Sequence, residues 1–165
     1  DYITWLMNQD LASAEIFWRR MLQGFTTPTR FSNSVAKPDR TSESAMVARS
    51  FTIETTAALQ SLVQQHRITL NTLIQGVWAL LLHHHSGSKD VVFGATTAGR
   101  PVTLLGSNSM VGMFINTLPV RVQIDPGAAF ILWLQAIQAQ QSEARQYEYT
   151  PLVQIQRWSN LAPGL

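Results

Sequence analysis

The chain has 165 residues, of which 45% are apolar and 13% are charged, with a formal net charge of +2 and no cysteine. The lack of cysteine excludes disulfides and thiolate metal sites and favours a reducing compartment, and the largest basic cluster, Arg19 and Arg20, is too small for a nucleic-acid interface. No apolar run approaches the ~20 residues of a membrane helix, so we expect a cytoplasmic protein whose partners include neither nucleic acid nor a membrane.

One amphipathic helix is predicted at the start of the chain. Its apolar residues recur at spacings of three and four: Ile3, Met7, Leu11, Ala14, Trp18 and Met21. Gly24 is expected to end this helix, since glycine readily takes the left-handed conformation that follows a helix. Residues 25–44 are rich in Thr, Ser and Pro, which predicts a long loop, and the alternation in residues 45–53 predicts a strand.

Two helices are predicted next. Either Thr55 or Thr56 can cap the first, whose apolar face consists of Leu59, Leu62 and Val63. The second helix spans residues 70–85, between a cap at Thr69 and an end at Gly87. Because it is apolar nearly all round, we expect it to be buried. The residues expected to face inward are Leu73, Ile74, Val77, Trp78 and Leu81.

Two strands follow, separated by a loop. Residues 90–97, DVVFGATT, predict a short buried strand, and residues 98–109, rich in Gly, Pro and Ser, predict the loop. Residues 110–123, MVGMFINTLPVRVQ, form a continuous apolar run that is typical of a strand buried on both faces, and Pro119 removes one donor from its ladder. A buried amide in such a run must be hydrogen-bonded. Asn116 therefore either fixes the core or faces a cavity.

The last predicted elements are two helices, which completes the order α, β, α, α, β, β, α, α. The longer one follows Asp125-Pro126-Gly127 and carries one stripe of residues: Phe130, Leu134, Ile137, Gln141 and Ala144. The shorter one runs from Pro151 through Trp158. The charged fraction is about half of the ~25% usual in soluble domains, which indicates a piece that normally buries more surface than a free monomer does. Since the chain begins in patterned sequence without a methionine, we expect it to be part of a longer polypeptide.

Several motifs suggest chemistry but lack its essential groups. The three histidines at residues 83–85 point about 100° apart on a helix, so they cannot converge on one metal. Residues 94–101 follow a strand as a phosphate-binding loop does, but Arg100 and Pro101 replace its lysine and its hydroxyl. There is no serine elbow. Arg100 and Arg121 lie in apolar sequence, where each either forms a structural pair or faces a site. The residues by themselves predict an α/β half-domain with no complete catalytic set.

The segment at residues 110–121 closely resembles the fifth core motif of nonribosomal peptide synthetase condensation domains, V/I-G-x-F-V/I-N-T followed by a short link and an arginine. Four other stretches resemble motifs of that family in the family's order: DYITW at residues 1–5, FW…LQG at 17–24, TLNTL…DVVFG…GRP at 69–101, and TPL…IQRW at 150–158. The resemblance covers essentially the whole chain.

This resemblance implies a chloramphenicol acetyltransferase-like fold, in which two αβ lobes form a V around an active-site tunnel. Residues 1–165 correspond to the C-terminal lobe, an αβ sandwich whose mixed sheet is covered by helices. The family's catalytic motif, His-His-x-x-x-Asp-Gly, belongs to the absent N-terminal lobe. The pair His84 and His85 is not that motif, because Lys89 and Asp90 stand where its aspartate and glycine belong.

The implied activity is peptide-bond formation between aminoacyl or peptidyl thioesters held on carrier proteins, with this chain inactive by itself. No catalytic residue, metal site or directly bound cofactor is expected here, since substrates arrive on phosphopantetheine arms. The expected partners are the N-terminal lobe of the same domain and the peptidyl carrier protein and adenylation domains of the synthetase. Two alternatives stay open. One is a non-catalytic lobe that docks carrier proteins, and the other is a sister domain for epimerisation, cyclisation or ester formation.

The resemblance also implies roles for particular residues. The residues expected to line the tunnel or brace the site are Asn116, Arg121, Gly112 and Phe114. The residues expected on the loop that bridges the lobes are Gly99, Arg100 and Pro101. Asn116 would donate to a carbonyl or a pantetheine amide in a dry tunnel, whereas Arg121 would brace the strand or pair with a carboxylate of the first lobe.

Overall fold

Helices make up most of the structure, a computed structural model that describes residues 2–30, 46–101 and 103–159. Within these ranges two 3-10 turns, Ser107–Ser109 and Arg145–Tyr147, accompany six α-helices and two strands. The elements are α1 (Tyr2–Met7), α2 (Leu11–Leu22), α3 (Ile53–Gln65), α4 (Leu70–Ser86), β1 (Asp90–Thr97), β2 (Asn116–Gln123), α5 (Phe130–Ala144) and α6 (Leu152–Trp158). The predicted αβ fold class is confirmed.

The single helix predicted at the start of the chain is wrong, because Asp10 divides it into α1 and α2. The Oδ1 atom of Asp10 accepts a hydrogen bond from the backbone N–H of Ser13 at 3.0 Å, which caps α2. Hydrogen bonds from Ser13 also lower the pKa of the Asp10 carboxyl. An N-cap carboxylate starts a new helix rather than continuing the preceding one. Helix α2 ends at Leu22, close to the predicted end at Gly24, whose φ is +78°.

The strand predicted for residues 45–53 is wrong over its described part, residues 46–53. Residues 46–52 are exposed and irregular, and α3 begins at Ile53 because Thr52, rather than Thr55 or Thr56, is its cap. The hydroxyl of Thr52 accepts from the backbone N–H of Thr55 at 3.2 Å. Residues 31–44 of the predicted loop lie outside the described ranges.

Helix α4 has its predicted caps, but the set of residues predicted to face inward is largely wrong. Of that set Leu73 is buried, whereas Ile74, Val77, Trp78 and Leu81 are between 39% and 58% exposed. The other buried residues of α4 are Thr72, Gly76, Ala79 and Leu82. Small side chains decide this orientation, since they allow α5 to approach closely. A Cβ atom added to Gly76 would lie 2.4 Å from Leu134 Cδ2.

The two strands pair antiparallel, with Asp90 opposite Gln123 at one end and Thr97 opposite Asn116 at the other. Residues 110–115, predicted as the first part of β2, are not strand. The expected mixed sheet is also not found, since within the described ranges the sheet has these two antiparallel strands. Pro119 is buried in β2 opposite Gly94, where the sheet tolerates its missing N–H.

The sheet separates two hydrophobic clusters. Val91 of β1 packs into a cluster with residues of α3, α4 and α5, including Leu134. Its neighbour Val92 packs against a second cluster, which contains Trp18 of α2 and Ile155 of α6. Successive side chains of a strand point to opposite faces, so β1 contributes to both.

The close contact between α4 and α5 generates a stability prediction. Replacing Gly76 by valine forces branched methyl groups against the fully buried Leu134, and overpacking of this kind costs about 1–3 kcal/mol. We expect urea denaturation of the protein to show such a loss in the free energy of unfolding. The control is Ile74→Val on the exposed face of the same helix, which should change it by less than about 0.5 kcal/mol. If the two substitutions lowered the free energy of unfolding equally, the close packing of Gly76 against Leu134 would be contradicted.

Candidate functional site

The loop between β1 and β2 is held in shape by Arg100. Its Nη1 atom donates to the backbone carbonyls of Ser107 and Met110, the second at 3.1 Å, and its guanidinium carbon lies 4.2 Å from the centre of the Phe114 ring. Gly99, at φ +62°, permits this arrangement, since a Cβ atom there would lie 1.8 Å from the carbonyl oxygen of Phe114. Arg100 therefore points into its own loop.

Phe114 fixes the second half of this loop to α1. Its side chain is buried, with the ring of Tyr2 centred 4.6 Å away. Pro101 is also buried, whereas Gly112 is exposed. The structure thus brings Gly99, Arg100 and Phe114 into one cluster, as a loop anchored from within. A guanidinium stacked on an aromatic ring and bonded to carbonyls keeps its charge satisfied without a carboxylate.

Asn116 starts β2 and joins it to the connection between α5 and α6. Its Nδ2 atom donates to the backbone carbonyls of Glu148 and Thr150, each at 2.8 Å, and its Oδ1 atom accepts from the N–H of Thr117 at 2.9 Å. Opposite it in the sheet, the hydroxyl of Thr97 donates to Glu148 Oε2 at 2.7 Å. Both amide protons of Asn116 are therefore engaged within this chain, so none is left to donate to a ligand in this arrangement.

Arg121 joins the sheet to α2. Its Nε and Nη2 atoms donate to the two carboxylate oxygens of Asp90 at 2.9 and 2.6 Å. Its Nη1 atom donates to the carbonyls of Met21 and Gln23 at 3.1 and 2.6 Å, at the carboxyl end of α2. The hydrogen bonds to Asp90 raise the pKa of the Arg121 guanidinium above its usual value. The carboxylate that Arg121 binds is thus one of this chain's own.

The predicted site residues act as internal anchors at several places along residues 99–121. Gly99, Arg100 and Phe114 form the anchored loop, whereas Asn116 and Arg121 hold β2 to two different parts of the chain. Sequence reasoning missed Glu148 as a partner of Asn116. The sequence carried no signal for this contact, because Asn116 binds the backbone carbonyl of Glu148. It also missed Asp90 as the partner of Arg121. The opposite charges at two predicted strands could have suggested that pair.

The first histidine of the run in α4 has a structural contact. His83 Nδ1 lies 2.8 Å from the carbonyl oxygen of Ser88, which bonds the end of the helix to the following turn. Among the described residues, no group of three or more His, Cys, Asp or Glu side chains is placed to hold a metal ion. In the same part of the chain, no helix has the length and apolar character needed to cross a membrane.

The contacts of Arg121 give a second prediction. Replacing Arg121 by lysine keeps one charge but loses the two-pronged bond to Asp90 and a contact with the end of α2, and charge-assisted bonds of this kind are worth about 1.5–3 kcal/mol each. We expect urea denaturation of the protein to show a loss of at least ~1.5 kcal/mol in the free energy of unfolding. At the exposed Arg145 the same change, Arg145→Lys, should cost less than ~0.5 kcal/mol. An Arg121→Lys variant with an unchanged free energy of unfolding would refute the stabilising role of the two hydrogen bonds to Asp90.

Known proteins resemble this chain over almost its whole length. The family model described as "Condensation domain" matches residues 1–163. One subunit of linear gramicidin synthase from Brevibacillus parabrevis is 50% identical over 167 residues, which cover 99% of this chain and 3% of that protein. The chain therefore spans only a small part of the curated relative that it matches.

Two solved structures share the fold. The X-domain from teicoplanin biosynthesis has a TM-score of 0.73 at 24% identity, covering 99% of this chain and 38% of that one. The first condensation domain of the CDA synthetase has a TM-score of 0.67 at 20% identity, covering 88% of this chain and 31% of that one. The expected condensation-domain fold is confirmed. The chain belongs to the condensation domain family of nonribosomal peptide synthetases.

Proposed function

We propose that residues 1–165 are the C-terminal lobe of a condensation domain that forms peptide bonds between thioesters held on carrier proteins. The observation that carries this proposal is the family match over residues 1–163 in a chain that spans only about a third of a solved condensation-domain chain. The rest of such a domain, with the His-His-x-x-x-Asp-Gly motif, would then belong to polypeptide outside this chain. Such a lobe supplies one wall of the tunnel and no reacting group.

The proposed reaction is aminolysis of a thioester. The acceptor amine attacks the donor carbonyl, the C–N bond forms and the C–S bond breaks, and the pantetheine thiol leaves with the proton lost by the amine. The histidine of the first lobe would position or deprotonate that amine. No cofactor is bound by this lobe in the proposal, because both substrates arrive on phosphopantetheine arms of carrier proteins.

The contribution of this lobe is to hold residues 110–117 at the tunnel. Arg100 and Phe114 anchor the loop ahead of β2. Asn116, the first residue of β2, anchors the start of the strand, and Arg121 anchors its second half. Each of these side chains is satisfied by groups of this chain, which supports a positioning role rather than direct contact with substrate. We propose that the exposed backbone at Gly112 faces the tunnel, with Gly99, Arg100 and Pro101 on the bridging loop.

The first test compares the complete domain with the isolated chain. Both are incubated with one carrier protein loaded with an aminoacyl donor and another loaded with an acceptor, and the products are identified by mass spectrometry. We expect an amide product from the complete domain and none from the isolated chain, because the proton-transfer group lies outside it. Amide formed by residues 1–165 alone would refute the proposal.

Other outcomes of the same assay separate the alternatives. A complete domain that binds both carrier proteins but forms no product would indicate a docking lobe. An ester, a heterocycle or an epimerised amino acid would indicate a sister domain. Each of these results would overturn the proposed reaction while leaving the family assignment in place.

Asn116 provides a prediction about positioning. The Asn116→Ala substitution leaves the carbonyls of Glu148 and Thr150 without their donor, and unsatisfied groups of this kind cost about 1–3 kcal/mol. We expect kcat of the complete domain to fall by about tenfold or more, with little change in the KM for loaded carrier protein, at a temperature where the variant is fully folded. The exposed Asn108, in the loop ahead of β2, provides the control as Asn108→Ala. Normal kcat in a folded Asn116→Ala domain would show that the amide serves stability alone.

A further inference from the structure

A hydroxyl and a carboxylate meet at the base of the loop between β1 and β2. The hydroxyl of Thr97, the last residue of β1, donates to Glu148 Oε2 at 2.7 Å. The oxygen of the same hydroxyl accepts from the backbone N–H of Gly99 at 3.4 Å. A hydroxyl group donates one hydrogen bond and accepts up to two, so Thr97 serves both partners at once. We call Thr97 and Glu148 the hydroxyl–carboxylate pair.

The carboxylate of this pair is carried by a segment that is itself held in place. Asn116 donates to the backbone carbonyls of Glu148 and Thr150, each at 2.8 Å. Between these two residues, the hydroxyl of Tyr149 donates to the carbonyl of Asp10, the N-cap of α2, at 2.9 Å. Glu148 therefore presents its carboxylate from a backbone that is bonded both to β2 and to the start of α2.

The direction of the hydroxyl proton follows from the chemistry of the pair. An ionised carboxylate only accepts hydrogen bonds, so the Thr97 proton must point toward Glu148. The lone pairs of the hydroxyl oxygen are then left for the N–H of Gly99. An amide at residue 148 would lose this polarity, because its NH₂ group could donate to the Thr97 oxygen and compete with Gly99.

The bond to Gly99 acts where the two limbs of the loop touch. Gly99 has a φ of +62°, and a Cβ atom there would lie 1.8 Å from the carbonyl oxygen of Phe114 in the second limb. Thr97 and Asn116, the residues from which the two limbs leave the sheet, are paired with each other across the strands. The orientation of the Thr97 hydroxyl therefore bears on the geometry of the loop at its narrowest point.

We propose that the hydroxyl–carboxylate pair is a positioning pair for the condensation reaction. It holds Gly99 against the backbone of Phe114 and so keeps the two limbs of the loop at a fixed separation. This inference rests on the proposed function, which has Gly99 and Gly112 at the tunnel, and neither member of the pair contacts substrate. A misplacement of about 1 Å far from the reacting atoms can cost ~100-fold in rate, so loss of the pair is expected to lower kcat.

The first experiment measures hydrogen–deuterium exchange at the backbone amide of Gly99 in the complete condensation domain, by mass spectrometry. Thr97→Val keeps the shape of the side chain and removes the hydroxyl, so the N–H of Gly99 loses its acceptor. We expect its exchange to become at least ~5-fold faster. The matched control is Thr96→Val at the exposed neighbouring position, where the rate should stay within ~2-fold of the unsubstituted domain. Unchanged exchange in Thr97→Val would overturn the proposal.

The second experiment measures kcat and KM for amide formation at a temperature where circular dichroism shows every variant to be folded. We expect Thr97→Val and Glu148→Ala each to lower kcat by ~10-fold or more, with the KM for loaded carrier protein changed by less than ~2-fold. Thr97→Ser keeps the hydroxyl and should restore kcat to within ~3-fold, and Thr96→Val should leave kcat unchanged.

The double variant tests whether the two side chains act through one bond. Because Thr97→Val and Glu148→Ala break the same contact, combining them should be no more harmful to kcat than the worse of the two alone. Effects that multiply in the double variant would overturn the proposal. Normal kcat in a folded Thr97→Val domain would overturn it as well, since the pair would then serve stability alone.

Failure of this inference is distinguishable from failure of the proposed function. A domain that forms amide product at the same rate with and without the Thr97 hydroxyl refutes the positioning pair and leaves the proposed reaction standing. A domain that forms no amide refutes the proposed reaction, and faster exchange at Gly99 in Thr97→Val then still supports the hold of the pair on the loop.

Discussion

The ion pair between Arg121 and Asp90 connects three elements that are distant in sequence. It spans β1 and β2, and the remaining nitrogen of the guanidinium reaches two carbonyls at the end of α2. The Arg121 side chain is only 11% exposed, so its charge has lost most of its hydration. Burying a guanidinium is costly unless its donors find acceptors, and here a carboxylate and two carbonyls accept four hydrogen bonds from it. The position of the whole sheet against α2 depends on this arrangement.

The candidate site follows from the way β2 is held. Arg121 fixes the second half of β2. Asn116, its first residue, is hydrogen-bonded to the segment between α5 and α6. Arg100 then fixes the loop ahead of it through carbonyl bonds and the Phe114 ring. All three polar side chains bind groups of this chain, and between Arg100 and Asn116 the apolar residues Val111, Met113 and Ile115 are exposed.

The packing of α4 shows how a small residue can decide orientation. The helix is apolar on nearly every side, so its hydrophobic pattern does not distinguish an inner face. At Gly76 the two helices are in close contact, because a Cβ atom there would lie 2.4 Å from Leu134 Cδ2 and would require that methyl group to shift. The larger residues Ile74 and Val77 are consequently turned outward. Volume, rather than hydrophobicity, selects the buried face when all faces are apolar.

Local patterns in the sequence determined much of this protein. The caps of α4 at Thr69 and Gly87, the strand at residues 90–97 and the family itself were all predictable, because each depends on neighbouring residues or on motif spacing. By the same local chemistry the cap at Asp10 was available in the sequence. It was missed because the apolar spacing continues across it.

The tertiary structure decided which side chains meet. That Arg121 binds Asp90, that Asn116 bonds to the carbonyls of Glu148 and Thr150, and that residues 110–115 stay out of the sheet depend on contacts between distant parts of the chain. Backbone carbonyls carry no residue-specific signal, so the partners of Asn116 could not be read from sequence. The sequence determined where helices and strands can form, whereas only the packed chain determined which polar groups are close enough to satisfy one another.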